Sequence, residues 1–292
     1  MNDPGPDPTQ PTTAFVLGGG GGLGGFQAGM LRALFERGIK PDLIVGTSIG
    51  SLQGAIVAAN PTLSSCIQLD EFWEDFVTMR VMRPRLRGFL SNARHVRAGL
   101  TTNDPVVGLI TRHFGAGTRF EDLQVPFQCA ATSIEDACVR YFERGPLQPA
   151  LLASTTVPGL WPPVRIEGRH YLDGGLVDSL PVGRATSLGA TTVYVLQLRQ
   201  TDTALTVPTM PWQLVQVAFE ASRRNQVLSE LARTRPGVTV HVLPSGEDGV
   251  VRKAAAPWTS VRQELQDIRR RITVGYDSAR AYLEATHSTV RA

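Results

Sequence analysis

The stretch that decides the fold is LIVGTSIG, residues 43–50. An apolar run typical of a buried strand leads directly into the pentapeptide GTSIG, and apolar residues at helical spacing follow it. A GxSxG sequence between a strand and a helix predicts a nucleophile elbow, in which Gly46 and Gly50 permit a tight turn and Ser48 projects its hydroxyl. Ser48 is therefore the candidate nucleophile. The alternative is that Thr47 or Ser48 only caps the helix.

Apolar strands alternate with helical segments on both sides of this stretch. This alternation predicts an α/β fold with a mostly parallel sheet that helices cover on both faces. The predicted strands are Ala14–Leu17, Leu43–Val45, Pro126–Thr132, Cys138–Phe142, Tyr171–Leu172, Thr192–Leu198 and Val238–Leu243. The predicted helices are Phe26–Arg37, Ile49–Ala59, Trp212–Thr234 and Thr259–Thr286. The helical spacing of Phe72, Trp73 and Phe76 predicts that they belong to the core.

The composition is that of a globular protein, with 292 residues of which 42% are hydrophobic and 19% charged. We expect residues 1–12, rich in Pro, Asp and Thr, to form a disordered tail. Residues 13–200 are expected to form the core, and residues 201–292 to complete the same domain with helices and a last strand. The first residues carry no cationic segment before an apolar one, which argues against a cleaved signal and favours a cytoplasmic location.

The chain is mildly basic, with a formal net charge of +3, and this charge alone excludes few classes of partner. Of 29 basic residues, only Lys40 and Lys253 are lysines, and no recognition motif accompanies the arginines, so nucleic-acid binding is not indicated. The three cysteines have no spacing typical of a disulfide framework or a metal site. We expect Arg269–Arg271, inside the last predicted helix, to form a solvated cationic face.

The segment Arg80–Arg97 contains six arginines, interleaved with apolar residues, and no acidic residue. One interpretation is peripheral contact with an anionic membrane surface. The other is a solvated loop, or one whose arginines pair with acidic residues just upstream, between Asp70 and Asp75.

A glycine loop, Gly18–Gly25, follows the first predicted strand and contains seven glycines. Its spacing at Gly19, Gly21 and Gly24 also fits a dinucleotide fingerprint, but such a site needs an acidic residue after the second strand, and Asp42 precedes that strand. No lysine closes the loop as in a phosphate-binding P-loop. A nest of backbone N–H groups suited to an oxyanion remains, with a flexible turn as the alternative.

A carboxylate that could serve as base is found in Asp173-Gly174-Gly175, after a short strand and the hairpin turn expected at Glu167-Gly168. Burial would raise the pKa of Asp173 to a range useful for general base catalysis, although Asp-Gly-Gly alone is also a common turn. A triad would need a histidine later in the chain, which leaves His241 or His287. His241 lies in an alternating strand, so we expect a dyad.

Three segments together resemble the patatin-like phospholipases over nearly all of Thr13–Leu198. They are LGGGGGLGGFQAGML, DLIVGTSIGSLQGA and ASTTVPGLWPPVRIEGRHYLDGGLVDSLPV. The resemblance implies a three-layer α/β/α sandwich that hydrolyses lipid acyl esters without a metal or organic cofactor. It further implies a dyad of Ser48 and Asp173, and an oxyanion hole in the loop Gly19–Gly24, formed by Gly19, Gly20 and Gly21.

One position departs from the family pattern, and two further functions stay open. Many members have Arg or Lys where this chain has Leu23, but backbone groups supply the donors of the expected oxyanion hole. The same dyad could transfer the acyl group to an alcohol instead of water. A non-catalytic lipid-binding protein could keep the elbow as a structural feature, whereas nucleotide binding is disfavoured by the missing ribose carboxylate.

Overall fold

A computed structural model describes residues 12–82, 102–198, 204–205, 207–208, 211–233, 235–246 and 259–290. Its strands are β1 (Thr13–Leu17), β2 (Leu43–Thr47), β3 (Phe127–Ser133), β4 (Cys138–Phe142), β5 (Val164–Ile166), β6 (Arg169–Asp173), β7 (Thr192–Leu196) and β8 (Thr239–Leu243). Its helices are α1 (Gly25–Glu36), α2 (Ile49–Ala59), α3 (Ser65–Thr78), α4 (Asp104–Phe114), α5 (Leu147–Thr155), α6 (Val182–Ser187), α7 (Pro211–Ala232) and α8 (Val261–Val290). Short 3₁₀ helices span Gly21–Gly24, Phe120–Asp122 and Gly174–Leu176.

The eight strands form one sheet in the order β5-β6-β3-β2-β1-β7-β8, with β4 also paired to β3. Strands β3, β2, β1, β7 and β8 run parallel to one another, whereas β4, β5 and β6 join by antiparallel pairing. The predicted mostly parallel sheet is therefore confirmed. The turn between β5 and β6 has positive φ at both Glu167 and Gly168, as a tight hairpin requires.

Helices cover both faces of the sheet because its central strands are apolar on both. Phe15 and Leu17 of β1 are fully buried in one core with side chains of α1, α2 and α3. Ala14 and Val16 point to the other face and pack with residues of α6 and α7. Three layers follow from this alternation, as predicted.

The last helix, α8, lies against α1 at very short backbone distance. A Cβ on Gly29 of α1 would lie 2.1 Å from the carbonyl oxygen of Ile272, and a Cβ on Gly275 of α8 would lie 2.3 Å from that of Phe26. The two glycines therefore permit a contact that larger residues would prevent. This packing brings the C-terminal part of the chain next to the glycine loop at the start of α1.

Most elements agree with the sequence predictions, and the differences are local. Every predicted strand is present, and the ends of the predicted helices differ by no more than a few residues. Helices α4, α5 and α6 and strand β5 were not predicted. Phe72, Trp73 and Phe76 are buried on α3, as expected.

The expected cationic face Arg269–Arg271 is only partly correct. Arg269 is exposed and pairs with Glu74 at 2.8 Å, but Arg271 is half-buried and donates to the carbonyl oxygen of Gly22. Residues 1–11, and residues 83–101 with most of the arginine-rich segment Arg80–Arg97, lie outside the described residues. Among the helices that the structure describes, none has the length and apolarity needed to cross a membrane.

Candidate active site

Ser48 lies on a sharp turn between β2 and α2. Its φ of 57° and ψ of −128° are strained for a residue with a side chain. The neighbouring glycines explain how the turn forms: a Cβ on Gly46 would lie 2.6 Å from the carbonyl oxygen of Gly50, and a Cβ on Gly50 would lie 2.2 Å from that of Leu17. Both glycines are thus required by close backbone contacts, and the arrangement is that of a nucleophile elbow.

Strand β3 brings Ser48 and Asp173 together across 125 residues of sequence. Ala130 pairs with Thr47 of β2 on one edge and with Tyr141 of β4 on the other. The next residue, Ala131, pairs with Asp173 of β6 and with a residue of β4. Because a strand has only two edges, β2 and β6 must share the edge opposite β4, and they end at adjacent positions along it.

The two side chains are joined by a short hydrogen bond. Ser48 Oγ donates to Asp173 Oδ2 at 2.6 Å, and Asp173 is fully buried. Burial raises the pKa of Asp173 to about 6, although the hydrogen bonds from Ser48 and Gly175 and the charge of Arg223 act in the opposite direction. At neutral pH the carboxylate is therefore ionised and is a much better base than an exposed aspartate.

Backbone groups fix the orientation of the Asp173 carboxylate. The N–H of Gly175 donates to Oδ1 at 2.8 Å, which leaves Oδ2 for Ser48. The N–H of Asp173 donates to the carbonyl oxygen of Thr156, and its own carbonyl accepts from Thr132 Oγ1. The Asp-Gly-Gly sequence is thus a turn, and the turn positions the carboxylate.

No histidine bonds to Asp173 in the part of the chain that the structure describes. His170 Nδ1 lies 2.6 Å from Glu135 on the surface. His241 stacks against Tyr194, with ring centroids 4.8 Å apart. The side chain of His287 is not described.

The glycine loop supplies two backbone N–H groups beside the elbow. The N–H of Gly19 donates to the carbonyl oxygen of Ser179 at 3.1 Å. Gly20 and Gly21 lie at the start of a 3₁₀ helix, where the first N–H groups have no partner within the helix. Among the described residues, no acceptor contacts the N–H of Gly20 or that of Gly21. Gly19 instead packs against Ser48, since a Cβ there would lie 3.2 Å from the Ser48 Cβ.

A buried chain of polar side chains supports this loop from behind. Gln27 Nε2 donates to the carbonyl oxygens of Gly18, at 2.9 Å, and of Leu196, at 2.8 Å. Gln53 Nε2 donates to Gln27 Oε1, and Trp73 Nε1 donates to Gln53 Oε1. All three side chains are buried. No sequence pattern indicated these contacts, because Gln27, Gln53 and Trp73 lie on three different helices.

Two further contacts hold the site, and both join residues distant in sequence. Ser154 Oγ, at the end of α5, accepts the N–H of Ser48 at 3.1 Å. Arg271 Nη1 donates to the carbonyl oxygen of Gly22 at 2.7 Å. Ser154 belongs to the segment that leads into the Asp-Gly-Gly turn, so its position in the sequence was a weak indication of its role.

A cavity of about 530 Å³ opens onto Ser48, Asp173 and the glycine loop. Apolar side chains form most of its wall, and the principal ones are Ile49, Leu52, Phe76, Val81, Val106, Val157, Leu160, Trp161, Val217 and Phe219. Such a cavity suits an acyl chain. Within the described residues, no cluster of His, Cys, Asp and Glu side chains is arranged to hold a metal ion.

The sequence of this chain is similar to those of several known proteins. A family described as patatin-like phospholipase matches residues 15–186. Lysophospholipase NTE1 of Mycosarcoma maydis is 34% identical over 195 residues, which are 64% of this chain and 10% of that protein. An uncharacterized NTE family protein of Mycobacterium bovis is 31% identical over 198 residues, which are 66% of this chain and 51% of that protein. The chain thus spans about a tenth of the fungal relative and about half of the mycobacterial one.

A solved structure with the same fold is VipD from Legionella pneumophila. It matches with a TM-score of 0.51 and 15% sequence identity, and the match covers 94% of this chain and 67% of VipD. At this identity the likeness concerns the fold alone.

Proposed function

Because this chain belongs to the patatin-like phospholipase family, we propose that it hydrolyses carboxylic esters of lipids with Ser48 as nucleophile and Asp173 as base. The observation that carries the proposal is the 2.6 Å hydrogen bond from Ser48 Oγ to the buried carboxylate of Asp173. The strained elbow and the adjacent apolar cavity support it.

The first half of the reaction forms an acyl-enzyme. Ser48 Oγ attacks the ester carbonyl carbon while its proton passes to Asp173 Oδ2. The carbonyl oxygen becomes an oxyanion, and the N–H groups of Gly20 and Gly21 stabilise it. When the tetrahedral intermediate collapses, the bond to the leaving alkoxide breaks, and Asp173 returns the proton to it. The acyl group is then bound to Ser48.

The second half releases the fatty acid. Asp173 takes a proton from a water molecule, whose oxygen attacks the acyl carbonyl carbon, and the same N–H groups hold the second oxyanion. Collapse breaks the bond to Ser48 Oγ, which recovers its proton from Asp173. A pKa near 6 suits this role, because the carboxylate is ionised at neutral pH yet basic enough to accept the proton.

Access from a lipid surface is part of the proposal. Met82 and Val207 line the cavity and are 40% and 83% exposed, and Leu214 and Val215 are exposed on α7. These apolar side chains favour peripheral contact between this side of the protein and a membrane or micelle. Arg80 precedes Met82, so the arginine-rich segment Arg80–Arg97 begins at the same place.

The test compares the wild type with Ser48→Ala, with Ser187→Ala as a control because Ser187 is exposed and outside the cavity. Free fatty acid is measured after incubation with a lysophospholipid and with a short-chain nitrophenyl ester. We expect hydrolysis by the wild type and the control only, and fluorophosphonate labelling of Ser48. Turnover by Ser48→Ala would refute the nucleophile, and absence of both turnover and labelling in the wild type would favour a non-catalytic lipid-binding protein.

A further inference from the structure

Two charged side chains in the cavity wall, Arg223 and Glu220, have no part in the chemistry described above. Arg223, on α7, is 3% exposed and lines the same cavity as Ser48 and Asp173. Its positive charge is near enough to act on the carboxylate of Asp173. It is the one cation among the described residues that line the cavity. Burial of a guanidinium in a mostly apolar wall is costly unless anionic partners compensate it.

Glu220 compensates Arg223 only in part. Arg223 Nε and Nη2 donate to the two carboxylate oxygens of Glu220, each at 2.9 Å. Arg224 Nε donates to the same carboxylate at 2.9 Å, so Glu220 is shared between two guanidinium groups. The remaining nitrogen of Arg223, Nη1, has no acceptor among the residues that the structure describes. Glu220 thereby fixes the plane of the guanidinium and leaves one edge of it available.

We propose that Arg223 binds an anionic oxygen of the substrate, such as the phosphate of a lysophospholipid, and so selects phosphate-bearing esters over neutral ones. This inference rests on the proposed function. In a glycerophospholipid a short glycerol backbone separates the phosphate from the ester, so both groups fit in one cavity. With the ester at Ser48 and the acyl chain along the apolar wall, the phosphate has a guanidinium N–H donor within the same enclosure. Planar guanidinium groups are well suited to phosphate oxygens.

The first test compares two substrates with the same acyl chain, lysophosphatidylcholine and monoacylglycerol. We expect Arg223→Gln to lower kcat/KM about ten- to a hundredfold for lysophosphatidylcholine and by no more than about threefold for monoacylglycerol. Equal losses on both substrates would assign Arg223 a general role in positioning Asp173 and overturn the proposal. Unchanged kcat/KM on lysophosphatidylcholine would also overturn it.

Arg224→Gln is the matched control. Arg224 is the next residue on α7 and bonds the same carboxylate, but it does not line the cavity. We expect its kcat/KM on both substrates to stay within about twofold of the wild type. If both variants lose activity on lysophosphatidylcholine to the same extent, the effect comes from Glu220 and the helix, and the proposal fails. Should Arg223→Gln not fold, as judged by its melting transition, Arg223→Gln combined with Glu220→Gln removes the buried pair together.

A binding measurement separates this inference from the proposed function. Binding of dodecylphosphocholine to Ser48→Ala can be measured by calorimetry below the micellar concentration and does not depend on hydrolysis. We expect adding Arg223→Gln to raise the Kd about tenfold or more, whereas an unchanged Kd would overturn the proposal even if the enzyme is active. Titration with inorganic phosphate tests the source of the anion. If the protein binds inorganic phosphate and Arg223→Gln abolishes that binding, Arg223 forms a site for free phosphate. If the protein binds dodecylphosphocholine but not inorganic phosphate, Arg223 recognises a lipid headgroup.

Discussion

Arg271 donates a hydrogen bond from Nη1 to the carbonyl oxygen of Gly22 at 2.7 Å, across 249 residues of sequence. The contact ties α8 to the glycine loop whose N–H groups are proposed to hold the oxyanion. Leu23 occupies the position of this loop where the family resemblance predicts a cation. Here a guanidinium reaches the loop from the last helix, and the close packing of α1 against α8 makes that possible.

Replacement of Arg271 by Gln is expected to lower kcat about tenfold. The loop would lose the contact that holds the peptide group between Gly22 and Leu23, and the N–H groups of Gly20 and Gly21 would become less ordered. Ester turnover and the melting temperature should be measured together. Arg270→Gln is the control, since Arg270 is exposed on the same helix. A variant with full kcat would show that the loop keeps its geometry without Arg271.

Gln27 supports the other end of the loop. In Gln27→Leu the carbonyl oxygen of Gly18 and the amide of Gln53 lose a buried partner. We expect a loss of ~2–4 kcal/mol in the free energy of unfolding, together with a fall in kcat. Denaturant titration beside Gln68→Leu, an exposed glutamine on α3, measures the first effect. Equal stability of the two variants would contradict the importance of the buried chain.

Gly50→Ala tests the elbow itself. The added Cβ would lie 2.2 Å from the carbonyl oxygen of Leu17, so the backbone of α2 and β1 must separate. The expected cost is ~3 kcal/mol or more in the free energy of unfolding. Gly117→Ala is the matched substitution, because nothing lies within 4 Å of a Cβ at that position. Similar denaturation midpoints for the two variants would mean that the turn does not require Gly50.

The elbow could be predicted from sequence because its determinants are contiguous: an apolar strand, two glycines around a serine, and a helix. Strands were predictable for the same reason, since a buried strand is a short apolar run. Helices α4, α5 and α6 were missed. On α4 the buried Val106, Leu109 and Ile110 have helical spacing, so this helix could have been predicted from the sequence. Helices α5 and α6 are short and give little periodic signal.

The residues that hold the site could not be predicted, because their partners are brought close only by the fold. Ser154 meets Ser48 across 106 residues. Arg271 was expected to face solvent from its place in a charged run, but the packing of α8 against α1 directs it to Gly22. The Ser48 and Asp173 assignments depended on recognising three motifs together, and the register of β3 gives the physical reason why they meet.

The rate of hydrolysis should depend on the ionisation of Asp173. Only the carboxylate can accept the serine proton, so kcat/KM is expected to rise with pH through an inflection near 6 and to level off above it. The charge of Arg223 lowers this pKa, so Arg223→Gln should move the inflection to higher pH. Initial rates with a soluble ester, measured between pH 4.5 and 8.5, provide the profile. A flat profile across this range would exclude Asp173 as the base.

The same carboxylate should reduce stability at neutral pH. The folded protein holds the proton of Asp173 up to about pH 6, whereas the unfolded chain releases it near the ordinary value of 3.8. Between these values the folded state binds more protons, so the contribution of this group to stability falls as the pH rises. Above pH 6 the buried charge is expected to cost on the order of 2–3 kcal/mol.

Asp173→Asn removes that charge and keeps the geometry, since an amide can accept from Gly175 N–H through oxygen and donate to Ser48 Oγ through nitrogen. We expect the variant to be inactive, yet more stable than the wild type above pH 6, with the two free energies of unfolding converging below pH 4. Denaturant titrations at pH 8 and pH 4 measure the difference. If the wild type is the more stable protein at pH 8, the hydrogen bonds to the carboxylate outweigh the cost of burying it.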